Sequence, residues 1–187
     1  RYCGWWRQWW WCLVVVMKSI MDISIKYNIF VIEDACMGIG ASIDGKSPGT
    51  FGKVNAFSMH PLKSLNVMGD GGMVVTDDDD LAIWMKKYRN HGMIDRDHIE
   101  FWGVNLRLQP LQAIVASHRL DELSNTIDKR NKNAKYLDEN LLNISKNIVI
   151  PKRISGNVET FALYMALFKD RDKLKNFLIS NNIEVKI

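Results

Sequence analysis

The sequence predicts an α/β fold: a mostly parallel sheet flanked by helices, followed by the beginning of a smaller αβ unit at the C-terminal end. Three observations carry this. Short apolar runs bounded by turn residues fall at residues 29–36, 54–59 and 73–75; stretches of helical period separate or follow them; and a second strand, helix and strand series begins after Pro151. With 187 residues, 47% hydrophobic and 25% charged, the chain has enough apolar mass for one domain core plus a piece of another.

Each element follows from its residues. Over 13–27, Val16, Ile20, Ile23 and Tyr27 recur at helical spacing and Asn28 acts as a stop. The run IFVIEDAC, 29–36, sets four apolar residues before Glu33 and Asp34, the pattern of a buried parallel strand that delivers carboxylates at its carboxyl end. Glycines at 38, 40, 45, 49 and 52 with Pro48 predict a turn-rich connection containing a short hairpin at SIDGKS. The next strand, from Val54, stops at His60-Pro61, where proline removes a ladder donor. A loop around Lys63 leads to a strand over 72–76. The run TDDDD, 76–80, resembles a metal site, but no histidine or further carboxylate lies at ligand spacing. It reads instead as a helix start, a cap with carboxylates in the first turn, ahead of LAIWMKKYRNHG. RNHG ends that helix at Gly92, with His91 as a capping or packing residue. The irregular MIDRDHIEFWGVNLRL then leads to a long helical pattern over 110–142, with a kink expected at Asn125-Thr126. A short strand at 148–150, a turn at Pro151, a strand over 160–168, a helix over 171–180 and a final strand over 183–187 complete the chain. A chain that stops inside an apolar strand is expected to be incomplete at that end.

Composition excludes several classes. The net charge of +4 comes from 25 basic and 21 acidic residues scattered without a dense basic block, so nucleic acid is not the expected partner. Three cysteines, Cys3, Cys12 and Cys36, show no CxxC or metal-ligand spacing, which argues against disulfides and structural zinc and for a reducing cytoplasm. The first residues are anomalous: five of the seven tryptophans fall within the first eleven positions, and the chain does not start with methionine. The small residues of a signal-peptide cleavage site are missing, and the apolar run from Trp9 is too short to cross a bilayer. Residues 1–12 are therefore read as a truncation scar or a translated frame error outside the fold.

The candidate chemistry centres on Lys63, placed between Leu62 and Leu65 after a strand end and before Gly69, Gly71 and Gly72. A lone loop lysine is ordinarily a solvated cation. One held between two buried strands is disfavoured as ammonium and becomes an amine able to form a Schiff base with a carbonyl. Asp34 lies 29 residues earlier, at the carboxyl end of its own strand, and Ser58 lies five residues earlier. A pyridoxal phosphate enzyme needs this set: a lysine for the aldehyde, an aspartate that keeps the pyridine nitrogen protonated, and hydroxyls and backbone amides for the phosphate. Each type alone is common.

The order and wording are more specific. Residues 31–124 carry VIEDAC followed by GIGAS, then GKSPGTFGKVNAFSMHPLKSLN, GDGGMVVT, YRNHG and FWGVNLRLQPLQA. In these motifs the chain resembles the DegT/DnrJ/EryC1/StrS sugar aminotransferases, a fold-type-I family dependent on pyridoxal 5'-phosphate. The resemblance implies that Lys63 is the Schiff-base lysine, that Asp34 pairs with the pyridine nitrogen and that Ser58 binds the phosphate. Asn105 matches an asparagine that reaches across a homodimer interface to the phosphate of the neighbouring subunit. Met37 stands at a cofactor-binding position where the family carries glutamine, bonded to the cofactor's phenolic oxygen, and a thioether cannot make that bond. His60 is read as shaping the pocket or packing, and Arg107 as securing the loop before the long helix.

By the same resemblance, residues 13–124 are the C-terminal part of the cofactor-binding large domain, 125–147 a long connecting helix and 148–187 an incomplete small αβ domain. The family's amino-terminal part has no counterpart before Leu13. The implied activity is a transaminase that moves an amino group, typically from glutamate, onto a keto-sugar in sugar and cell-surface polysaccharide biosynthesis. The wording SMHPLKSLNV and GDGG looks closest to a branch acting on octulosonate or hexose-phosphate keto-sugars, while nucleotide-linked keto-hexoses are the commoner family substrates. Two alternatives stand beside it. Dehydrating relatives replace the lysine, so Lys63 argues against them; a non-catalytic binding or regulatory remnant fits the missing segments and Met37.

Overall fold

The computed structural model describes residues 17–145 and 147–187. The expectations for 1–12 and for the helix over 13–16 lie outside them. Helix α1, Met17–Tyr27, ends where Asn28 takes a left-handed conformation (φ 50°) and the Ile29 amide returns to the Ser24 carbonyl, a helix stop of the kind asparagine tolerates.

Three strands form the main sheet in the order β1-β2-β3: β1 Ile32–Asp34, β2 Val54–Ser58 and β3 Gly72–Val75. β1 and β2 run parallel with Ile32 opposite Val54 and Asp34 opposite Ala56; β3 returns antiparallel, placing Val74 opposite Ala56 and Gly72 opposite Ser58. The segment expected as one long strand over 29–36 therefore narrows to three paired residues. Its outer positions are not buried on both faces either, since Phe30 and Ile32 are 68% and 66% exposed. The sheet has one closed face and one open face. On the closed face Glu33 and Asn55 are buried beneath the 38–53 connection: the Glu33 carboxylate accepts the Gly49 and Phe51 amides at 2.7 and 3.1 Å, and Asn55 is bonded to Gly52. Within that connection the expected hairpin forms, with Ile43 paired to Lys46 across Asp44 and Gly45, both at positive φ, as a type I′ turn demands.

Helix α2, Asp79–Tyr88, starts as expected from the acidic run: Asp78 is the N-cap and its side chain accepts the Leu81 amide at 2.9 Å, while also pairing with Lys53. The chain then folds back on the helix end. Val104 and Leu106 donate to the carbonyls of Tyr88 and Arg89, and His91, at φ 64°, donates its amide to Val104. His91 is thus a backbone-turning residue. The long helix is two helices. α3, Pro110–Asp121, breaks at Glu122, and α4, Leu123–Ile144, follows, so the bend lies before the Asn125-Thr126 pair expected to carry it.

A small core of Met59, Leu65 and Val67 sits beneath the Lys63 loop, with Ile39, Leu108, Ala116 and Leu123 packed against it. Ile127 and Ala134, two turns apart on α4, are the buried residues of that helix. The C-terminal unit is thinner than expected. β4 is Ile148–Val149, paired antiparallel with β5, Leu167–Phe168, and the strands expected over 160–168 and 183–187 are otherwise irregular. Strand-like alternation there finds no neighbouring backbone to pair with among the described residues. Helix α5, Arg171–Ser180, falls where expected.

Candidate active site

Register alone puts two of the predicted residues together. In a sheet, directly paired residues share a face and alternate residues return to it. Ile32 and Asp34 of β1, Val54, Ala56 and Ser58 of β2, and Gly72 and Val74 of β3 therefore line the open face. Asp34 and Ser58 are diagonal neighbours on it, roughly 8 Å apart by strand spacing and rise. Opposite Ser58 stands Gly72, which has no side chain to fill the space beside the hydroxyl.

Lys63 reaches this region from the loop that follows β2. The expectation of a lysine held between two buried strands is not what the fold provides: Lys63 is half-buried in a turn, with Leu62 outside at 75% exposure and Leu65 anchored in the core. The turn is built by His60. Its carbonyl accepts the Lys63 amide at 2.8 Å, its Nδ1 accepts the Leu62 amide at 3.2 Å, and its own amide donates to Ser58 Oγ at 3.3 Å. Asn66 Nδ2 donates to the Lys63 carbonyl at 3.1 Å, and the Val67 amide returns to Met59. Gln112 of α3 holds the far side of the loop through the Asp70 carbonyl at 2.9 Å.

The Lys63 amine comes back over the end of β1. Nζ lies 2.8 Å from Met37 Sδ, so the residue expected only to lose a cofactor contact touches the Lys63 amine itself. Between Asp34 and Met37 sits Cys36, whose amide donates to Asp34 Oδ1 at 3.0 Å. Burial pushes the Cys36 thiol up to about 11, with a hydrogen bond to Asp34 and the Asp34 charge adding to it and the Lys63 charge opposing it. Asp34, Cys36, Met37 and Lys63 are thus one corner. The corner is open: the cavity of about 200 Å³ bordered by Asp138, Arg153, Glu159 and Phe161 lies elsewhere, between α4 and the C-terminal unit.

Asn105 is not brought to this corner. It is exposed on the segment that returns along α2, where its Oδ1 accepts Arg107 Nε at 2.9 Å while Arg107 Nη1 bonds Asn90 Oδ1 at 3.1 Å. Arg107 therefore secures the loop as expected. Sequence reasoning missed Cys36, Arg130, which donates to Ser64 Oγ at 3.1 Å, and Thr160, which donates to the Met37 carbonyl at 2.9 Å. Cys36 lay inside a quoted motif. The other two have partners 66 and 123 residues away, and no local signal marks them.

The residues present suit pyridoxal phosphate. A carboxylate and a hydroxyl on one sheet face and a primary amine at its edge are the kinds of group its pyridine nitrogen, phosphate and aldehyde call for.

Comparison with known proteins gives the family. The DegT/DnrJ/EryC1/StrS aminotransferase family matches residues 12–187. The chain is 34% identical over 167 residues to an Acidithiobacillus ferrooxidans UDP-N-acetyl-3-dehydro-alpha-D-glucosamine 3-aminotransferase, covering 89% of this chain and 45% of that protein. It is 33% identical over 175 residues to a Geobacillus stearothermophilus pleiotropic regulatory protein, covering 91% and 46%. Among solved structures, the S. venezuelae DesV complex with a ketimine intermediate superposes with a TM-score of 0.85 at 30% identity over 90% of this chain and 45% of that one. A Brucella abortus aminotransferase of the family gives 0.83 at 30% identity, over 89% and 44%. The chain spans about half the length of the relatives it matches. Matched by the family from residue 12 to its last residue, and sharing its fold, the chain belongs to the DegT/DnrJ/EryC1/StrS aminotransferase family.

Proposed function

We propose that this chain carries the lysine, ring and phosphate contacts of a pyridoxal-phosphate-dependent transaminase that passes an amino group from glutamate to a keto-sugar. The observation that carries this is the convergence of Asp34 and Ser58 on one open sheet face with the Lys63 amine returned over the end of β1. Relatives named for UDP- and dTDP-linked sugars favour a nucleotide-linked substrate over the octulosonate or hexose-phosphate branch. Pyridoxal phosphate, when bound, supplies an aldehyde that takes up an amino group and a ring that draws electrons from the substrate carbon. Lys63 Nζ would hold the cofactor through its aldehyde carbon and, once freed by the amino donor, would serve as the base that takes a proton from the donor's α-carbon and as the acid that gives it back across the imine nitrogen. The Asp34 carboxylate would keep the proton on the pyridine nitrogen, and Ser58 Oγ would donate to the phosphate. Asn105, exposed and away from this corner, is assigned to the neighbouring subunit's site in a homodimer. The domain division at 124 and 147 and a cytoplasmic place of action belong to the same reading. No helix of the described residues is long and apolar enough to cross a membrane.

The test is direct. The chain mixed with pyridoxal phosphate, reduced with borohydride and digested should carry the cofactor on Lys63, with an absorbance band near the visible edge that Lys63→Ala abolishes. A label spread over surface lysines, with no band, refutes the reading. A second reading, cofactor binding without turnover, is favoured by Met37, whose thioether cannot donate to the phenolic oxygen. Glutamate separates the two: a donor-dependent loss of the band supports transamination, and a band indifferent to glutamate supports binding alone.

A further inference from the structure

Lys63 is held by two contacts that originate far later in the chain, and both trace to consecutive residues of α4. Arg130, half-buried, donates Nη1 to Ser64 Oγ at 3.1 Å, one residue from the lysine. Among the described residues its guanidinium makes no ion pair, although nine such pairs form elsewhere. A guanidinium so placed, spent on a neutral hydroxyl, adds little Coulomb attraction and fixes geometry through its rigid fork. With the Lys63 amide bonded to His60 and its carbonyl to Asn66, Arg130 holds the loop from α4 beside the lysine, while Gln112 of α3 holds its far side.

The next residue, Asn131, reaches in another direction. Its Nδ2 donates to the Glu159 carbonyl at 2.8 Å and to the Ile127 carbonyl of its own helix at 2.9 Å, which ties the 157–160 segment to α4. That segment is paired with the strap after β1 through the reciprocal Ser42 and Val158 amide bonds at 3.0 and 2.9 Å. From it Thr160, 6% exposed, donates Oγ1 to the Met37 carbonyl at 2.9 Å. Met37 then meets the Lys63 amine through its sulfur at 2.8 Å. Arg130 governs the backbone beside Lys63, and Thr160 governs the residue that the amine rests on.

We propose that Arg130 and Thr160 are positioning residues for Lys63, through which α4 sets the loop backbone and the resting place of the amine. The proposal rests on Lys63 being the reactive lysine, but its measurement needs no cofactor. The reactivity of each lysine is read by reductive methylation of the full chain with formaldehyde and an amine borane at low conversion, resolved by peptide mass spectrometry. Lys186, whose side chain is 85% exposed, is the internal reference. Releasing either hold frees the amine, so Arg130→Met and Thr160→Val should each raise the Lys63 to Lys186 ratio about three-fold or more, the scale of one hydrogen bond. Thr160→Ser keeps the donor and should restore the parent ratio. Ser64→Ala should reproduce Arg130→Met, and the double variant should go no further than either single one. A ratio unchanged in Arg130→Met and Thr160→Val, with only the melting temperature lowered, overturns the proposal, as does an equal rise in Thr160→Ser. Failure of pyridoxal phosphate to bond Lys63 would instead strike the proposed function and leave this ratio readable.

Discussion

Replacing Asp34 with asparagine should speed the alkylation of Cys36, and replacing Lys63 with methionine should slow it. The thiol stands in the site corner with its acidity set to about 11 against an ordinary 9.0 by burial first, then by the Asp34 hydrogen bond and charge, with the Lys63 charge pulling the other way. At pH 8 that leaves a thiolate fraction of about one in a thousand, against about one in ten for an ordinary thiol, while the more basic thiolate is roughly ten-fold more nucleophilic. Cys36 should therefore react about ten-fold more slowly than a free thiol. Asparagine at 34 removes the carboxylate's contributions and leaves burial, the largest, so recovery should be partial: roughly two- to five-fold. Methionine at 63 removes the smallest influence and should slow the reaction by less. The assay is iodoacetamide labelling at pH 8 followed by peptide mass spectrometry, which separates Cys36 from Cys3 and Cys12. An Asp34→Asn rate equal to or below the parent's would refute the placement of a carboxylate beside this thiol, and with it the geometry of the corner.

Four further outcomes follow from other contacts. Burial pushes the Asp138 pKa up, but hydrogen bonds from Arg153 and Tyr164 and the Arg153 charge hold it below the usual carboxylate range; its contribution is present at neutral pH and lost as pH falls below about 4. Asp138→Asn should thus lower the melting temperature at pH 7 by about 3 to 6 °C, a gap that closes in acid, as scanning calorimetry over pH 3 to 8 would record. Glu159 moves the opposite way, raised by burial, with Arg153 opposing and Asp138 adding, so Glu159→Gln should stabilise at pH 7 and lose that advantage in milder acid than Asp138 requires, as pH falls toward the ordinary value of 4.5. Gly92→Ala should cost roughly 3 kcal/mol or more in urea unfolding, because the residue sits at φ 73° and an added Cβ would lie 1.7 Å from the Phe101 carbonyl oxygen. Met37→Gln should tighten pyridoxal phosphate binding by up to about ten-fold in a fluorescence titration, and an unchanged affinity would remove the argument drawn from the thioether.

Features that depend on neighbouring residues were legible. The Asp44-Gly45 hairpin, the Asp78 cap and helix α5 could be read because a turn, a cap and a short helix are decided within a few residues. Pairing could not be read in the same way. Residues 160–168 look like a strand, yet β5 keeps only Leu167–Phe168, since a strand exists only where another backbone meets it. The bend at Glu122 was masked by an apolar pattern that continues through it. At the candidate site, the position of Asp34 at the carboxyl end of its strand and of Ser58 at the end of the next was legible from the apolar runs, whereas the burial expected for Lys63 was not realised because its loop turns outward at His60-Pro61. Arg130 and Thr160 carried no local mark. Their contacts arise only when α4 and the 157–160 segment are laid against residues 37 to 64.

The placement of Asp34 is itself decided by its neighbour. Because strand side chains alternate, a shift of one residue in β1 would carry Asp34 to the closed face and Glu33 to the open one. Among the described residues the Asp34 side chain makes no bond that would resist this: its contact with the Cys36 amide is local and moves with the strand. Glu33 does resist it. Its two oxygens take the Gly49 and Phe51 amides, and a buried carboxylate that lost both would be left without partners at a cost of several kcal/mol. A residue with no part in the chemistry thus fixes which carboxylate faces the site. The same logic explains why two acids stand side by side at the end of this strand. One is spent on the fold, buried and fully bonded, so that the other can remain exposed beside the thiol and the amine, where a ligand can reach it.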